Sequence, residues 1–432
     1  MAAPEFQLRF HDARDRLLAE AHARPSTPLN APGLASRIVT LSGETGAEDD
    51  RAHMAALCRK LGMAEPGESA RWCMLNAGAW SLRWERHTEA STWTVFRPGV
   101  DPDLANFSVT ALDALPRDWL SGLPGEVLVA AHAAIVGATP ARLPFAAEEI
   151  VAAQIAAGPV SVYSDFRAGP DAFTRFVLVA GGADDVTVGR VLQQLFEIES
   201  YRLMALLAFP LALETATALK GLEGEVDLAA AHVVNESGVE SDRTLLNRLA
   251  ALAGEAERLA GQTNFRFAAA RAYYGLVGER IANWQETPVD VRPTLGEFME
   301  RRLAPAMRTC ASVAERQRGV IERIARTVQI LNTRVEVASE MVNVDLLASM
   351  DRRSKQQLRL QQTVEGLSIV AVSYYALALL KIFFDGVAKL APALNAAIAT
   401  AVLAPLVIFV VWRFLDRVKS QFADPGDKGG GH

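Results

Sequence analysis

The sequence predicts an α+β protein in which a small β-containing domain is followed by a helical bundle, a long coiled-coil-like helix and a transmembrane hairpin. Three observations carry this prediction: aromatic and β-branched runs between 71 and about 180, helical periodicity after 185, and two long apolar runs near the C-terminus. The predicted segments are an irregular or helical N-terminal segment (1–70), an α+β domain (71–185), a helical domain (186–292), a long stalk helix (293–365), a transmembrane hairpin (366–412) and a cytoplasmic tail (413–432).

Composition restricts the class of protein. Half of the 432 residues are hydrophobic, 22% are charged and the net charge is −6. These values fit a mostly globular chain and give no reason to expect nucleic-acid binding. The three cysteines are far apart and form no CxxC pair, so neither a zinc knuckle nor a disulfide framework is expected. The first 25 residues carry charges throughout, so we expect no cleaved secretory signal and a body that stays in the cytoplasm.

Strand signals lie in runs such as WSLRWER, STWTVF and FTRFVLVAGG, which Gly, Pro and Asp bound. One or two helices are predicted between the strands, such as 145–157. After GGADD (181–185) the pattern becomes helical, and Pro210 predicts a kink. The N-terminal 70 residues show no comparable strand signal.

The later helices have clearer local signals. Thr294 followed by Glu297 predicts a capping box, and Pro305 predicts an interruption soon after it. A three-four spacing predicts that one face of the preceding helix packs against a partner. The residues on that face are Phe267, Ala270, Tyr274, Val277, Ile281 and Trp284.

Heptad spacing follows Pro305. Apolar residues seven apart predict a coiled-coil seam, with a second set in the intervening register. The alternative is a helix that packs within its own protomer. The first set is Ile321, Val328, Val335 and Val342, and the second is Ile324, Leu331 and Ala338.

Two apolar runs predict membrane spans. Gly366–Phe384 is interrupted only by Lys381, and Leu390–Trp412 has no charge, while spanning takes about 20 residues. Basic residues flank both runs, so the positive-inside rule predicts cytoplasmic termini. A soluble hairpin core is the alternative. The flanking cations, which set topology or bind lipid headgroups, are Arg352, Arg353, Lys355, Arg359, Arg413, Arg417 and Lys419.

Polar side chains within the first run need partners in hydrocarbon. We expect them to face the second span or a neighbouring protomer, with a pore-lining role as the alternative. They are Ser368, Ser373, Tyr374 and Tyr375.

The strongest candidate for chemistry is WERHTE (84–89), and His22 in AHARP is a second candidate, with a turn-stabilising histidine as the alternative. In an extended backbone Glu85, His87 and Glu89 share one face, and a His with two carboxylates suits metal binding or acid–base catalysis. The alternative is a solvated strand face whose charges form ion pairs with Arg83 and Arg86. No GxxxxGK[ST], GxGxxG, GxSxG or HExxH motif is present, and the sequence identifies no cofactor.

Several segments resemble an uncharacterised bacterial family, the domain-of-unknown-function family thirty-four twenty-two, whose members are predicted membrane-anchored proteins. The resemblance implies a soluble body with C-terminal spans and supplies no catalytic residues. The layout is also similar to CorA-type channels, although FFDGVAK stands where their Gly-Met-Asn motif is expected. The segments are AHARP (21–25), LRWERHTEAST (82–92), ESYRLMALLAFPLA (199–212), FRFAAARAYYGLV (265–277), TLGEFMERRLAPAMRTC (294–310) and SMDRRSKQQLRLQQTVEGLSIVAVSYY (349–375).

These observations favour a non-enzymatic, self-associating protein anchored in a bacterial inner membrane, with a cytoplasmic body that binds partners or organises the membrane. Self-association is expected through the stalk and the membrane helices, and the protein partner is unknown. An oligomeric two-span ion channel or transporter is the first alternative. A metal-dependent enzyme that uses the WERHTE strand is the second.

Overall fold

The computed structural model describes residues 8–15, 17–18, 26–43, 45–155, 159–235, 238–388 and 396–422. The chain divides into two compact units, residues 1–329 and 330–432. The six segments predicted from the sequence divide the chain more finely than these two units, and they remain a prediction. The segment AHARP (21–25) lies outside the described residues.

The first unit is built on one nine-stranded sheet with strand order β2-β3-β4-β1-β5-β8-β7-β6-β9. Neighbouring strands are antiparallel except β5 and β8, which are parallel. With the long helices that follow, this sheet confirms the predicted α+β class. The strands are β1 (Gly33–Leu41), β2 (Trp72–Asn76), β3 (Ser81–Arg86), β4 (Ala90–Pro98), β5 (Glu126–Val136), β6 (Val151–Gln154), β7 (Ser161–Ala168), β8 (Thr174–Val179) and β9 (Thr287–Pro288).

Two predictions of local structure are wrong. The sheet begins at Gly33 rather than near 71, and β1 lies between β4 and β5 in its middle. The predicted helix at 145–157 is a 3-10 turn at Ala147–Glu149 followed by β6. A short apolar run is compatible with either state, and pairing of β6 with β7 and β9 decides it.

One face of the sheet carries the apolar core. Helices α1 (Ala47–Lys60) and α2 (Arg117–Ser121) contribute to this core, in which Trp84 and Trp93 of the sheet lie with Met54 of α1. Acidic residues begin α1 and basic residues end it, which suits the helix dipole. Burial of these large side chains is the main stabilising contribution on this face.

A buried ion pair joins α1 to the sheet on the same side of the molecule. Arg86 donates to Asp50 Oδ2 at 3.1 Å, and the Asp50 side chain is fully buried. The hydroxyls of Ser42 and Ser91 also donate to that oxygen, each at 2.7 Å. The Arg86 guanidinium donates in addition to the carbonyl oxygen of Gly43. The pair therefore ties together α1, the end of β1 and the β3–β4 turn.

The other face of the sheet is covered by helices. Asp184 caps α3 (Asp185–Leu206) by accepting from the Thr187 N–H at 2.8 Å. The helix breaks at Leu207, three residues before Pro210, because proline disfavours continuation of the preceding turn. The predicted kink is confirmed. The chain continues as α4 (Ala208–Asn235) and α5 (Val239–Trp284).

Two other local predictions are also confirmed. Four residues of the predicted packing face on α5 are buried, including Phe267 and Trp284. The Thr294 hydroxyl accepts from the Glu297 N–H at 3.2 Å, and the Glu297 carboxylate accepts from the Thr294 N–H at 3.1 Å. This capping box starts α6 (Leu295–Arg302), and α7 (Ala304–Ala388) begins one residue before Pro305.

The predicted heptad seam on α7 divides into buried and exposed parts. Ile324 and Leu331 are buried, whereas Val342 is exposed. Salt bridges from Arg316 to Glu223 and from Arg323 to Asp227 hold this part of α7 against α4. The early part of α7 therefore packs within its own chain, and the coiled coil stays a prediction.

Three helical stretches are long and apolar enough to cross a membrane: 185–235, 304–387 and 397–417. The sequence predicted only the last two. The first comprises α3 and α4 of the first unit. In the second unit α7 continues to Ala388, four residues beyond the predicted end of the first apolar run, and α8 (Ala396–Phe422) follows.

The buried pair gives a stability prediction. Asp50→Asn leaves the Arg86 charge buried without its anion, so the free energy of unfolding should fall by about 3–5 kcal/mol. The measurement is chemical denaturation of the detergent-solubilised chain, followed by tryptophan fluorescence. Asp118→Asn is the control, since it removes the exposed ion pair with Lys60 and should leave the midpoint nearly unchanged. Equal midpoints for Asp50→Asn and the wild type would contradict the prediction.

Candidate functional site

A cavity of about 480 Å³ lies on the helix-covered face of the sheet. Strands β1, β3 and β4 supply its floor, and α3 and α5 supply its walls. Its size is within the range typical of small-molecule sites. Polar lining residues are Arg37, Arg71, Glu85, Arg86, His87, Thr88, Thr92, Gln193, Glu197, Ser200, Tyr201, Tyr273 and Arg280.

Arg37 and Arg86 are the most deeply buried cations of the cavity, and Arg37 is the one without a salt bridge among the described residues. It is 3% exposed, and its Nε donates to Thr94 Oγ1 at 2.9 Å. Its guanidinium lies 5.3 Å from the centre of the Phe196 ring, within cation–π range. Burial lowers the pKa of Arg37, and the charge of Glu85 opposes this effect without reversing it. This cation is therefore held in place without a hydrogen-bonded carboxylate among the described residues.

Arg280 provides the contrast within the same cavity. Its Nε donates to Glu197 Oε2 at 2.7 Å. Burial alone lowers the pKa of Arg280, but the hydrogen bond and charge of Glu197 outweigh it, so this pKa is raised. The two arginines differ because one has a directly bonded carboxylate.

Two tyrosines form the aromatic part of the wall. The rings of Tyr201 and Tyr273 stack with centroids 5.7 Å apart. Burial, followed by the charge of Glu197, raises the pKa of Tyr201. Burial and the neighbouring Glu89 raise the pKa of Tyr273 to about 12. Both hydroxyls therefore stay protonated and able to donate at neutral pH.

The WERHTE residues are placed differently from the prediction. Strand β3 ends at Arg86, and the chain turns before β4, so one extended strand does not carry all three side chains. Glu85 and His87 line the cavity, and Glu85 lies 3.5 Å from Arg83 Nε. Glu89 is instead held by Arg266 in two hydrogen bonds of 3.0 and 2.7 Å. The predicted alternative was a solvated face with ion pairs to arginine. Its ion pairs are present at Glu85 and Arg86, but the face is buried, since Arg83, Glu85 and Arg86 are at most 6% exposed.

Metal binding has no geometric support in the ranges that the structure describes. Within them, no group of three His, Cys, Asp or Glu side chains is placed to hold a metal ion. The roles of Glu85, His87 and Glu89 in catalysis or metal binding stay predictions. The arrangement is better suited to binding an anion, since guanidinium and hydroxyl donors converge on the cavity.

A second polar cluster lies on the opposite face of the sheet. Ser36 Oγ is 2.7 Å from His132 Nδ1, and His132 Nε2 is 3.6 Å from Asp171 Oδ2. Ser36 is fully buried, and the Phe173 ring stacks on the imidazole at 4.0 Å. A substrate cannot reach that hydroxyl without opening the core. The cluster therefore resembles a hydrolase triad in residue types only.

Sequence reasoning missed most of the cavity. Arg37 lies in β1, which was not predicted, although a lone arginine in LASRIVTL was a usable signal. The predicted face of α5 included Tyr274, whereas its neighbour Tyr273 lines the cavity. No local pattern marked Tyr201 or Arg280.

The predicted polar residues of the first span have different surroundings. Ser373 is buried, and its hydroxyl has no hydrogen-bonding partner among the described residues. Ser368 donates to the Val364 carbonyl of its own helix at 2.8 Å. Tyr374 and Tyr375 are more than two-thirds exposed. Their predicted packing role is untested.

The predicted basic flanks are accessible where their side chains are described. Lys355 pairs with Asp351 one turn earlier, at 2.7 Å. The side chain of Lys419 lies outside the described residues. The exposed members are Arg352, Arg353, Lys355, Arg359, Arg413 and Arg417.

Comparison with known proteins identifies a family. The model of the family described as "Protein of unknown function (DUF3422)" matches residues 9–422, so the chain belongs to this family. No curated protein and no solved structure matches the chain. The similarity to CorA-type channels is not confirmed.

His132 gives a prediction for pH. Burial lowers its pKa from the usual 6.5 to about 4. Between these values the unfolded chain binds the proton more strongly than the folded chain does. The free energy of unfolding should therefore fall as pH decreases through this window, by about 3 kcal/mol in total.

The measurement is the thermal unfolding midpoint of the solubilised chain between pH 7.5 and 4.5. His132→Gln should lose this part of the pH dependence. Leu34→Ala, a core substitution on the neighbouring strand, should lower the midpoint at every pH and keep the wild-type slope. The same slope in His132→Gln and the wild type would refute the assignment.

Proposed function

We propose that this family member is a bacterial inner-membrane protein, held by two C-terminal spans, with both termini and the first unit in the cytoplasm. One observation carries the proposal. In the most apolar 18-residue stretch of α7, only 6% is buried inside the protein, and in that of α8 none is. Apolar helices of this length that lack protein cover are stable in hydrocarbon and not in water.

The third apolar stretch, in α3 and α4, belongs to the protein core in this proposal. One-third of its most apolar window is buried. Within α3, Glu199 is fully buried and binds Arg202 and the Thr174 hydroxyl of β8. A helix fixed to a sheet by a charged network is not free to enter lipid.

Charge supports the orientation. Exposed arginines and a lysine precede the apolar part of α7, and the exposed Arg413 and Arg417 follow that of α8. Basic flanks of this kind stay on the cytoplasmic side, so the connection after Asp385 lies on the opposite side. The same cations suit contact with anionic headgroups.

Self-association through the second unit completes the proposal. Beyond residue 330, large apolar side chains of α7 are exposed to water before the membrane segment begins. Val337 and Val344 are one heptad apart, and Leu347 follows at the next core position, a spacing that favours pairing with a second copy of the same helix. This exposed seam differs from the one predicted in the sequence and is defined by Ile330, Val337, Val344 and Leu347.

Topology is tested by cysteine labelling. In right-side-out spheroplasts, Asp385→Cys should react with a membrane-impermeant maleimide, because it lies near the outer end of the hairpin. Asp416→Cys should react only after lysis, because it follows the second span. The wild type measures the background from Cys58, Cys73 and Cys310. Release of the intact chain by carbonate extraction, or equal labelling of both variants before lysis, would contradict the proposal.

Self-association is tested by light scattering of the detergent-solubilised chain. The double variant Val337→Glu/Val344→Glu places like charges in the seam and should lower the molar mass to that of a monomer. Asn332→Glu/Ser339→Glu adds the same charges at the same spacing on an exposed part of α7 outside the seam, and should keep the wild-type mass. A monomeric wild type at micromolar concentration would remove this part of the proposal.

A further inference from the structure

We infer that the cavity between β1, β3, α3 and α5 binds a small organic anion, carboxylate or phosphate, with Arg37 as its principal ligand. This inference concerns the first unit and is independent of the membrane topology. It rests on the missing salt bridge of the buried Arg37, on the free donors of that side chain and on the aromatic wall.

Arg37 is the buried cation of the cavity that has no salt bridge among the described residues. It is 3% exposed, and its hydrogen bond within them runs from Nε to Thr94. Glu85 and Glu197 act on it through their charge and without a hydrogen bond. By contrast, Arg280 pairs with Glu197, Arg86 with Asp50 and Arg266 with Glu89.

An uncompensated buried charge is costly, which gives the cavity a preference for a bound anion. The Arg37 side chain has five N–H donors, and within the described chain only Nε has a hydrogen-bonding partner, Thr94. The remaining donors belong to a group that lines the cavity. Arg71, also in the lining and exposed, adds positive charge at the rim. A guanidinium presented in this way matches the paired oxygens of a carboxylate or phosphate.

The rest of the wall indicates an organic body rather than a bare ion. Tyr201 and Tyr273 offer ring surface together with protonated hydroxyls. Met204 and Leu276 add apolar contact, and Ser200 and Thr92 add small hydroxyls. A volume of about 480 Å³ leaves room for a ring or short chain beside the anionic group.

The test uses the full chain in detergent and three probes of similar shape: benzoate, phenyl phosphate and neutral benzamide. Binding is measured by calorimetry and by the shift in thermal unfolding midpoint. We expect at least one anion to bind and to raise the midpoint, and benzamide to bind at least tenfold more weakly. The tighter anion identifies carboxylate or phosphate chemistry. Equal binding of benzamide, or no midpoint shift with either anion at 10 mM, would overturn the inference.

Arg37→Met keeps the side-chain volume and removes the charge. We expect it to weaken anion binding about 10- to 100-fold, since hydrogen bonds to a charged group contribute about that factor. It should not lower the unfolding midpoint of the ligand-free chain, because an apolar side chain replaces an uncompensated charge. Arg175→Met changes a partly buried arginine on the opposite face and should leave anion affinity unchanged.

Arg37→Lys keeps the charge but lacks the planar pair of donors. This variant replaces Arg37→Met if that variant fails to fold, and it should weaken binding of the preferred anion about tenfold. Wild-type anion affinity in either folded variant would show that Arg37 is not the ligand.

Discussion

Charged side chains buried on the helix-covered face of the sheet constrain the rest of the first unit. Taking an ion out of water is costly unless an opposite charge and hydrogen bonds replace the solvent. The helices supply those partners: Arg266 of α5 binds Glu89 of the β3–β4 turn, 177 residues earlier in the chain. Arg280 of α5 binds Glu197 of α3. These contacts fix how α3 and α5 lie on the sheet, since a helix shifted by one residue would leave charges buried and unpaired.

Buried polar and charged side chains have different partners on the two faces of the sheet. On the face toward α1, the tryptophans of β3 and β4 provide apolar contact, and Asp50 Oδ2 accepts from Arg86 and from the hydroxyls of Ser42 and Ser91. His132 fits there because burial keeps it neutral, as its depressed pKa reflects. On the face toward α3 and α5, polar groups outnumber apolar ones near Arg37. The cavity lies where Arg37 has no directly bonded carboxylate among the described residues, and unmet donors of this kind give a pocket its specificity.

Apolar helices in this chain have two different surroundings. Helix α3 has enough apolar residues to be considered a membrane span, yet its buried Glu199 and its contacts with the sheet place it within the first unit. The apolar parts of α7 and α8 have almost no protein cover. Composition alone does not separate these cases, because a protein core and a bilayer are both apolar environments. The two cases are separated by whether protein side chains cover the apolar helix.

Predictions from local sequence signals were confirmed where the interaction that causes the structure is itself local. The Thr294–Glu297 capping box and the break before Pro210 each depend on residues within about one helical turn. The apolar runs at the C-terminus depend only on composition and length. The packing face of α5 was also readable, since Phe267 and Trp284 follow a helical period.

What the sequence determined by itself was therefore the position of helix ends, apolar faces and candidate spans. Tertiary structure decided the central position of β1 and the state of residues 145–157, because strand pairing with distant segments overrides weak local preferences. It also decided the candidate site: alternation along a strand placed Glu85, His87 and Glu89 together, but the chain turns after Arg86 and Glu89 pairs with α5. Arg37 lies near Glu197 and Tyr201 only because residues more than 100 positions apart in the chain pack together, and no local period predicts that contact.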